Sequence, residues 1–131
     1  MPEVLDAYAL MVFLEKEPGH EKVERHFTAA VEKDEPLLMT TVNYGEVLYI
    51  ILRECGRPKV QEIESIIRTL PITLVDVGLG LATEAARFKA LKNIAYADCF
   101  AAALAKLRRA ALLTGDKEFK ALEKDIHIVW I

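Results

Sequence analysis

Five short apolar runs, Val4-Leu5, Leu37-Leu38-Met39-Thr40, Ile72-Thr73-Leu74-Val75, Ala111-Leu112-Leu113-Thr114 and the stretch 126–131, recur along the chain with helical patterns between them. Runs this short and this uniformly apolar fit strands buried on both faces, not the alternating strands of a half-solvated antiparallel sheet. The segments between them repeat apolar residues at helical spacing. Residues 7–16 read as a buried helix broken by Pro18-Gly19, and Val23, Phe27, Ala30 and Val31 mark an amphipathic one. Helices are also expected over 43–54, ended by Gly56; from Pro58 through Val60, Ile63, Ile67 and Leu70; over about 79–92; over 98–109; and briefly over 117–123. Strands that alternate with helices predict an α/β fold: a three-layer α/β/α sandwich with a mainly parallel central sheet.

The chain has 131 residues, 53% of them hydrophobic and 28% charged, which excludes a disordered or linker-like polymer. Its longest apolar run, 7–14, is far short of the roughly 18 residues of a membrane span. Glu3 and Asp6 precede that run, unlike the basic start of a signal peptide. Cys55 and Cys99 have no metal or redox spacing. A single soluble cytoplasmic domain over residues 1–131 is expected, with no membrane association.

The net charge of −3 conceals an uneven distribution. Residues 1–40 carry nine acidic and four basic side chains, whereas residues 87–124 carry nine basic and four acidic ones. Such asymmetry marks a candidate nucleic-acid face, although solvated helix faces produce the same count.

Open parallel sheets bind ligands beyond the carboxyl ends of their strands. Asp6 follows the first strand directly, Glu46 lies in the first helical turn after the second, Asp98 opens the helix before the fourth, and Asp116 follows the fourth by one glycine. Each has a local alternative. Asp116 suits an N-cap, Glu46 a capping box with Asn43, and Asp98 the positive end of its helix dipole. As a group they demand more. Two carboxylates about 5 Å apart at an effective dielectric near 20 repel by roughly 3 kcal/mol. Four on one rim call for a cation or for protonation. An all-oxygen donor set suits Mg²⁺ or Mn²⁺, ions that serve phosphodiester hydrolysis. Asp76 is adequately explained as a cap, and His20, His26 and His127 share no ligand spacing.

These segments resemble the motifs of PIN-domain nucleases. Val4-Leu5-Asp6-Ala7-Tyr8-Ala9-Leu10 is similar to the first motif and Asn43-Tyr44-Gly45-Glu46-Val47-Leu48-Tyr49-Ile50 to the second. Tyr96-Ala97-Asp98-Cys99-Phe100-Ala101-Ala102-Ala103-Leu104-Ala105 is similar to the third and Leu112-Leu113-Thr114-Gly115-Asp116-Lys117-Glu118-Phe119 to the fourth. Order and spacing match over essentially the whole chain. Within the superfamily the chain most resembles VapC, the toxin half of VapBC toxin–antitoxin pairs.

The resemblance implies a PIN-like fold and a Mg²⁺- or Mn²⁺-dependent endoribonuclease acting on RNA. It implies Asp6, Glu46, Asp98 and Asp116 as catalytic metal ligands, with Thr114 and Asn43 in supporting positions. It also implies a VapB-type antitoxin partner and a homodimer. Lys117, Arg108 and Arg109, on the basic segment, are candidate RNA contacts. A PIN nuclease of RNA maturation and a non-catalytic RNA-binding PIN domain share these motifs. A phosphoacceptor receiver domain shares the length and alternation, but it needs paired acids after the first strand, where only Asp6 stands.

Overall fold

A computed structural model describes all 131 residues. The strands are β1 (Glu3–Leu5), β2 (Leu37–Thr40), β3 (Ile72–Val75), β4 (Ala111–Thr114) and β5 (His127–Trp130). They form one sheet in the order β3-β2-β1-β4-β5, and every pairing is parallel. The expected mainly parallel sheet is therefore wholly parallel. The helices are α1 (Ala7–Leu14), α2 (His20–Lys33), α3 (Thr41–Cys55), α4 (Arg57–Thr69), α5 (Leu79–Leu91) and α6 (Tyr96–Arg108), with a 3₁₀ helix at Lys117–Leu122.

Strand periodicity divides the core in two. Leu5, Leu37, Met39 and Leu113 face the layer of α1 to α4, where Val23, Phe27, Val47, Ile51 and Ile63 meet them. Val4 and Leu112, one position out of step, face α5, α6 and the 3₁₀ helix, where Phe88, Leu104, Phe119 and Leu122 close the second core. This alternation makes the three layers. β4 is buried at all four positions, as its unbroken apolar run requires. α6 buries every residue from Asp98 to Ala105. A helix apolar all round belongs inside, and its alanines let it lie close to the sheet. No helix is long and apolar enough to cross a membrane.

Four elements differ from the sequence expectation, among them α6, which begins at Tyr96, two residues before Asp98. α3 begins at Thr41, not Asn43, because the Thr40 hydroxyl accepts from the Asn43 N–H (3.0 Å) and caps the helix straight off β2. Glu46 therefore lies in the second turn, outside any capping box. α1 ends at Leu14, two residues early. The 117–123 segment winds as a 3₁₀ helix, with Asp116 as its N-cap. Gly56 separates α3 from α4 at φ +86°, a left-handed conformation that other residues resist.

β1 neighbours both β2 and β4, so the crossovers diverge between β1 and β4. This is the switch point at which parallel sheets leave a crevice. The residues just past Leu5 and Thr114 stand at its lip.

Candidate metal centre at the switch point

Asp6 leaves β1 and caps α1: its Oδ1 accepts from the Ala9 N–H at 2.8 Å. Its Oδ2 accepts from the Thr114 hydroxyl at 2.5 Å. That hydroxyl also accepts from the Asp116 N–H at 3.0 Å, so one threonine ties the ends of β1 and β4 together. Asp6 is only 1% exposed, and Thr114 is fully buried. Burial pushes the Asp6 carboxyl up to about 7, against the two hydrogen bonds that favour its charge; Asp116 and Glu46 add to the rise.

Asp98 is carried in from the second helical layer. It stands in the first turn of α6, whose N-cap Ala95 offers no side-chain bond. Burial is the main cause of its rise to about 8, followed by the charges of Asp116, Asp6, Glu46 and Glu118. Glu46 reaches the same place from α3, and its carboxyl is also raised, first by burial. Its Oε1 is buried without any hydrogen-bond partner. Asn43, fully buried, braces this corner: its Oδ1 accepts from the Thr40 hydroxyl (2.5 Å), and its Nδ2 donates to the Ala97 carbonyl (3.0 Å). That last bond links α3 to α6 beside Asp98.

The tightest group is Asp98, Asp116 and Glu118, whose carboxylate oxygens lie within 4.8 Å of one another. Glu118 was absent from the sequence expectation. It enters because the Asp116 carboxylate accepts from the Glu118 N–H (3.0 Å), and the 3₁₀ turn brings both acids to one rim. Its signal in the sequence was only an acid two residues beyond Asp116.

The residues fit a hard divalent cation. The donors are all oxygen, one buried carboxylate oxygen has no partner, and the carboxyls of Asp6, Glu46 and Asp98 are raised first by burial and then by neighbouring acids. A groove of about 270 Å³ opens onto them, lined by Glu46, Asp98 and Asp116 and also by Tyr8, Met11 and Ile50.

The basic candidates separate. Lys117 is exposed, next to Asp116. Arg108 and Arg109 lie away from the acids. They end α6, ten residues beyond Asp98, and at 1.5 Å per residue that is about 15 Å along the helix, toward the opposite edge of the sheet. There Arg108 lines a second cleft with Pro2 and Lys33, and Arg109 is the left-handed C-cap. Much of the remaining positive charge is used structurally: Lys106 and Arg87 bind Glu84 (2.7 and 2.8 Å), and Lys92 pairs with Asp125. His26 pairs with Glu3 (2.7 Å) and takes no part in the acid cluster.

Thr114→Val tests the bracing. It keeps the shape but strands Asp6 Oδ2 and the Asp116 N–H, so urea unfolding is expected to show a loss of about 1–3 kcal/mol. A variant as stable as the parent would contradict a structural role for the hydroxyl.

The PIN-domain family model matches residues 4–125. Ribonuclease VapC30 of Mycobacterium tuberculosis is 32% identical over 126 residues, covering 89% of this chain and 92% of that protein. Among solved structures, VapBC2 from Rickettsia felis, bound to a DNA fragment from their promoter, superposes with a TM-score of 0.82 at 15% identity. The match covers 100% of this chain and 99% of the other. VapC20 of Mycobacterium tuberculosis, a Sarcin-Ricin loop cleaving toxin, superposes with a TM-score of 0.73 at 14% identity, over 98% and 99% of the two chains.

Proposed function

Because this chain belongs to the PIN-domain family, we propose that it is a metal-dependent endoribonuclease, the VapC toxin of a type II toxin–antitoxin pair. The observation that carries the reading is the clustering of Asp98, Asp116 and Glu118 within 4.8 Å, with Asp6 and Glu46 near enough to act on Asp98 by charge, a donor set that suits a hard cation. Relatives named as VapC ribonucleases support the substrate class. VapBC complexes among the structural neighbours support a VapB-type antitoxin.

Asp98, Asp116 and Glu118 would hold Mg²⁺ or Mn²⁺, with Glu46 and Asp6 completing the acidic surround. The bound ion supplies positive charge that stabilises the phosphate oxygens and makes water a better nucleophile. Hydrolysis forms a bond from water oxygen to phosphorus and breaks the bond from phosphorus to a ribose oxygen. The protein's own part is preorganisation. Thr114 locks Asp6 and the Asp116 backbone, and Asn43 locks the Glu46 helix to the Asp98 helix. Lys117, exposed beside Asp116, would meet a phosphate next to the cleaved bond. A single domain acting in the cytoplasm as a homodimer is part of the same proposal.

The direct test is cleavage of single-stranded RNA by antitoxin-free protein. Mn²⁺ is expected to support cleavage, EDTA to stop it, and added Mn²⁺ to restore it. No cleavage with either Mg²⁺ or Mn²⁺ between pH 6 and 9 would overturn the assignment.

A further inference from the structure

The acids account for one wall of the groove at the switch point and leave the other wall unexplained. That wall is apolar and aromatic: Tyr8, Met11 and Ile50. Tyr8 lies on α1 between the buried Ala7 and Ala9, yet it is 47% exposed. A core aromatic would be covered, and a solvated helix position needs no aromatic. Its ring rests instead on Gly115, the residue between Thr114 and Asp116. A Cβ built on Gly115 would lie 2.6 Å from Tyr8 Cε1, 3.2 Å from Cδ1 and 3.1 Å from Ile131 Cγ1. The missing side chain at Gly115 therefore makes the seat in which the ring sits beside Asp116.

The groove lining contains no lysine or arginine, and past Tyr8 it carries Glu15 and Glu17. Phosphate is disfavoured at that end, away from the acids that would hold the cation. What fits against an apolar, aromatic wall flanked by carboxylates is the uncharged, planar part of a nucleotide. Resting on the reading of this protein as a ribonuclease, we propose that Tyr8 is a substrate-binding residue on which a nucleobase adjoining the cleaved phosphate stacks, and that Gly115 exists to seat it. Base stacking on aromatic side chains is the usual means of holding splayed single-stranded RNA. Tyr8 stands two residues from Asp6 and against the residue before Asp116, so a base held there fixes the backbone at the acids.

The test uses the full chain and a labelled single-stranded RNA of mixed sequence. Binding is read by anisotropy with Ca²⁺, and KM and kcat by cleavage with Mn²⁺. Tyr8→Ala is expected to raise Kd and KM about tenfold, within the range of one lost stacking contact, with a smaller change in kcat. Tyr8→Phe should bind within about twofold of the parent. Gly115→Ala should resemble Tyr8→Ala, because its Cβ displaces the ring. An RNA lacking the base beside the mapped cleavage position should be bound equally by the parent and Tyr8→Ala. The Mn²⁺-induced rise in melting temperature should be unchanged in Tyr8→Ala, which separates lost stacking from a damaged metal centre. Parent-like Kd and KM in Tyr8→Ala, or a Tyr8→Phe variant as weak as Tyr8→Ala, overturns the inference while leaving the nuclease reading intact. A parent protein that neither binds nor cleaves RNA overturns both.

Discussion

Asp98→Asn is expected to abolish RNA cleavage and, in the same protein, to raise the melting temperature of the metal-free form at pH 8. The first effect follows from its place among the closest carboxylate oxygens of the centre. Groups that merely support a metal ligand cost about 10- to 100-fold when removed, so losing a ligand should lower kcat/KM by about 100-fold or more. The second follows from its raised carboxyl, at about 8 through burial and then the charges of Asp116, Asp6, Glu46 and Glu118. In the unfolded chain the same group titrates near 3.8. Between those values the folded state holds a proton that the unfolded state has released. Rising pH therefore favours unfolding, and stability present near pH 4 is lost progressively toward pH 8. Asparagine carries no charge to penalise, so a gain of roughly 5 °C at pH 8 is expected, shrinking as pH falls toward 4. Calorimetry in EDTA at both ends of that range reads the difference. A variant that melts lower than the parent at pH 8, or that still cleaves RNA, would contradict the role given to Asp98.

Manganese should reverse the pH trend. Binding a cation requires the carboxylates in their charged form, and without it Asp6 and Asp98 are held near 7 and 8. The metal must displace those protons, so affinity rises with pH up to about 8. At pH 8 and a Mn²⁺ concentration about 100 times Kd, stabilisation should reach about 2.7 kcal/mol. That is a shift of roughly 5–10 °C for a chain this size. At pH 5 the same concentration should move the transition little. Titration calorimetry in two buffers of different ionisation heat should also show proton release at pH 7. Equal stabilisation at pH 5 and pH 8 would mean that these carboxyls are already ionised without metal.

The fold was legible because both-face burial leaves a plain mark. β4 is buried at every position, and Leu112-Leu113 reads as apolar without any knowledge of its neighbours. Asp6, Glu46, Asp98 and Asp116 could be located because strand ends are easy to find and parallel strands put those ends on one side. Glu118 was hidden for a local reason. Whether residues 116 and 118 share a rim depends on the turn between them, and a 3₁₀ turn and an α-turn leave the same trace in six residues. The α3 start was misjudged because β2 passes into the helix with no loop, and Thr40 is both the last strand residue and the cap. A charge count over 87–124 is blind to the length of α6, which sets Arg108 about 15 Å along the helix from Asp98.

The sheet order has a consequence for how the acids are brought together. β1 lies in the middle, and its partner on one side is β4, with Glu3 opposite Ala111. The loop that this pairing closes spans most of the chain. Pairing β2 with β1 gathers none of Asp98, Asp116 and Glu118, which all follow β3 in the chain. The contact between β1 and β4 is thus the hinge pin of the crevice, and any change that loosens those two strands parts Asp6 from the other acids without touching a carboxylate.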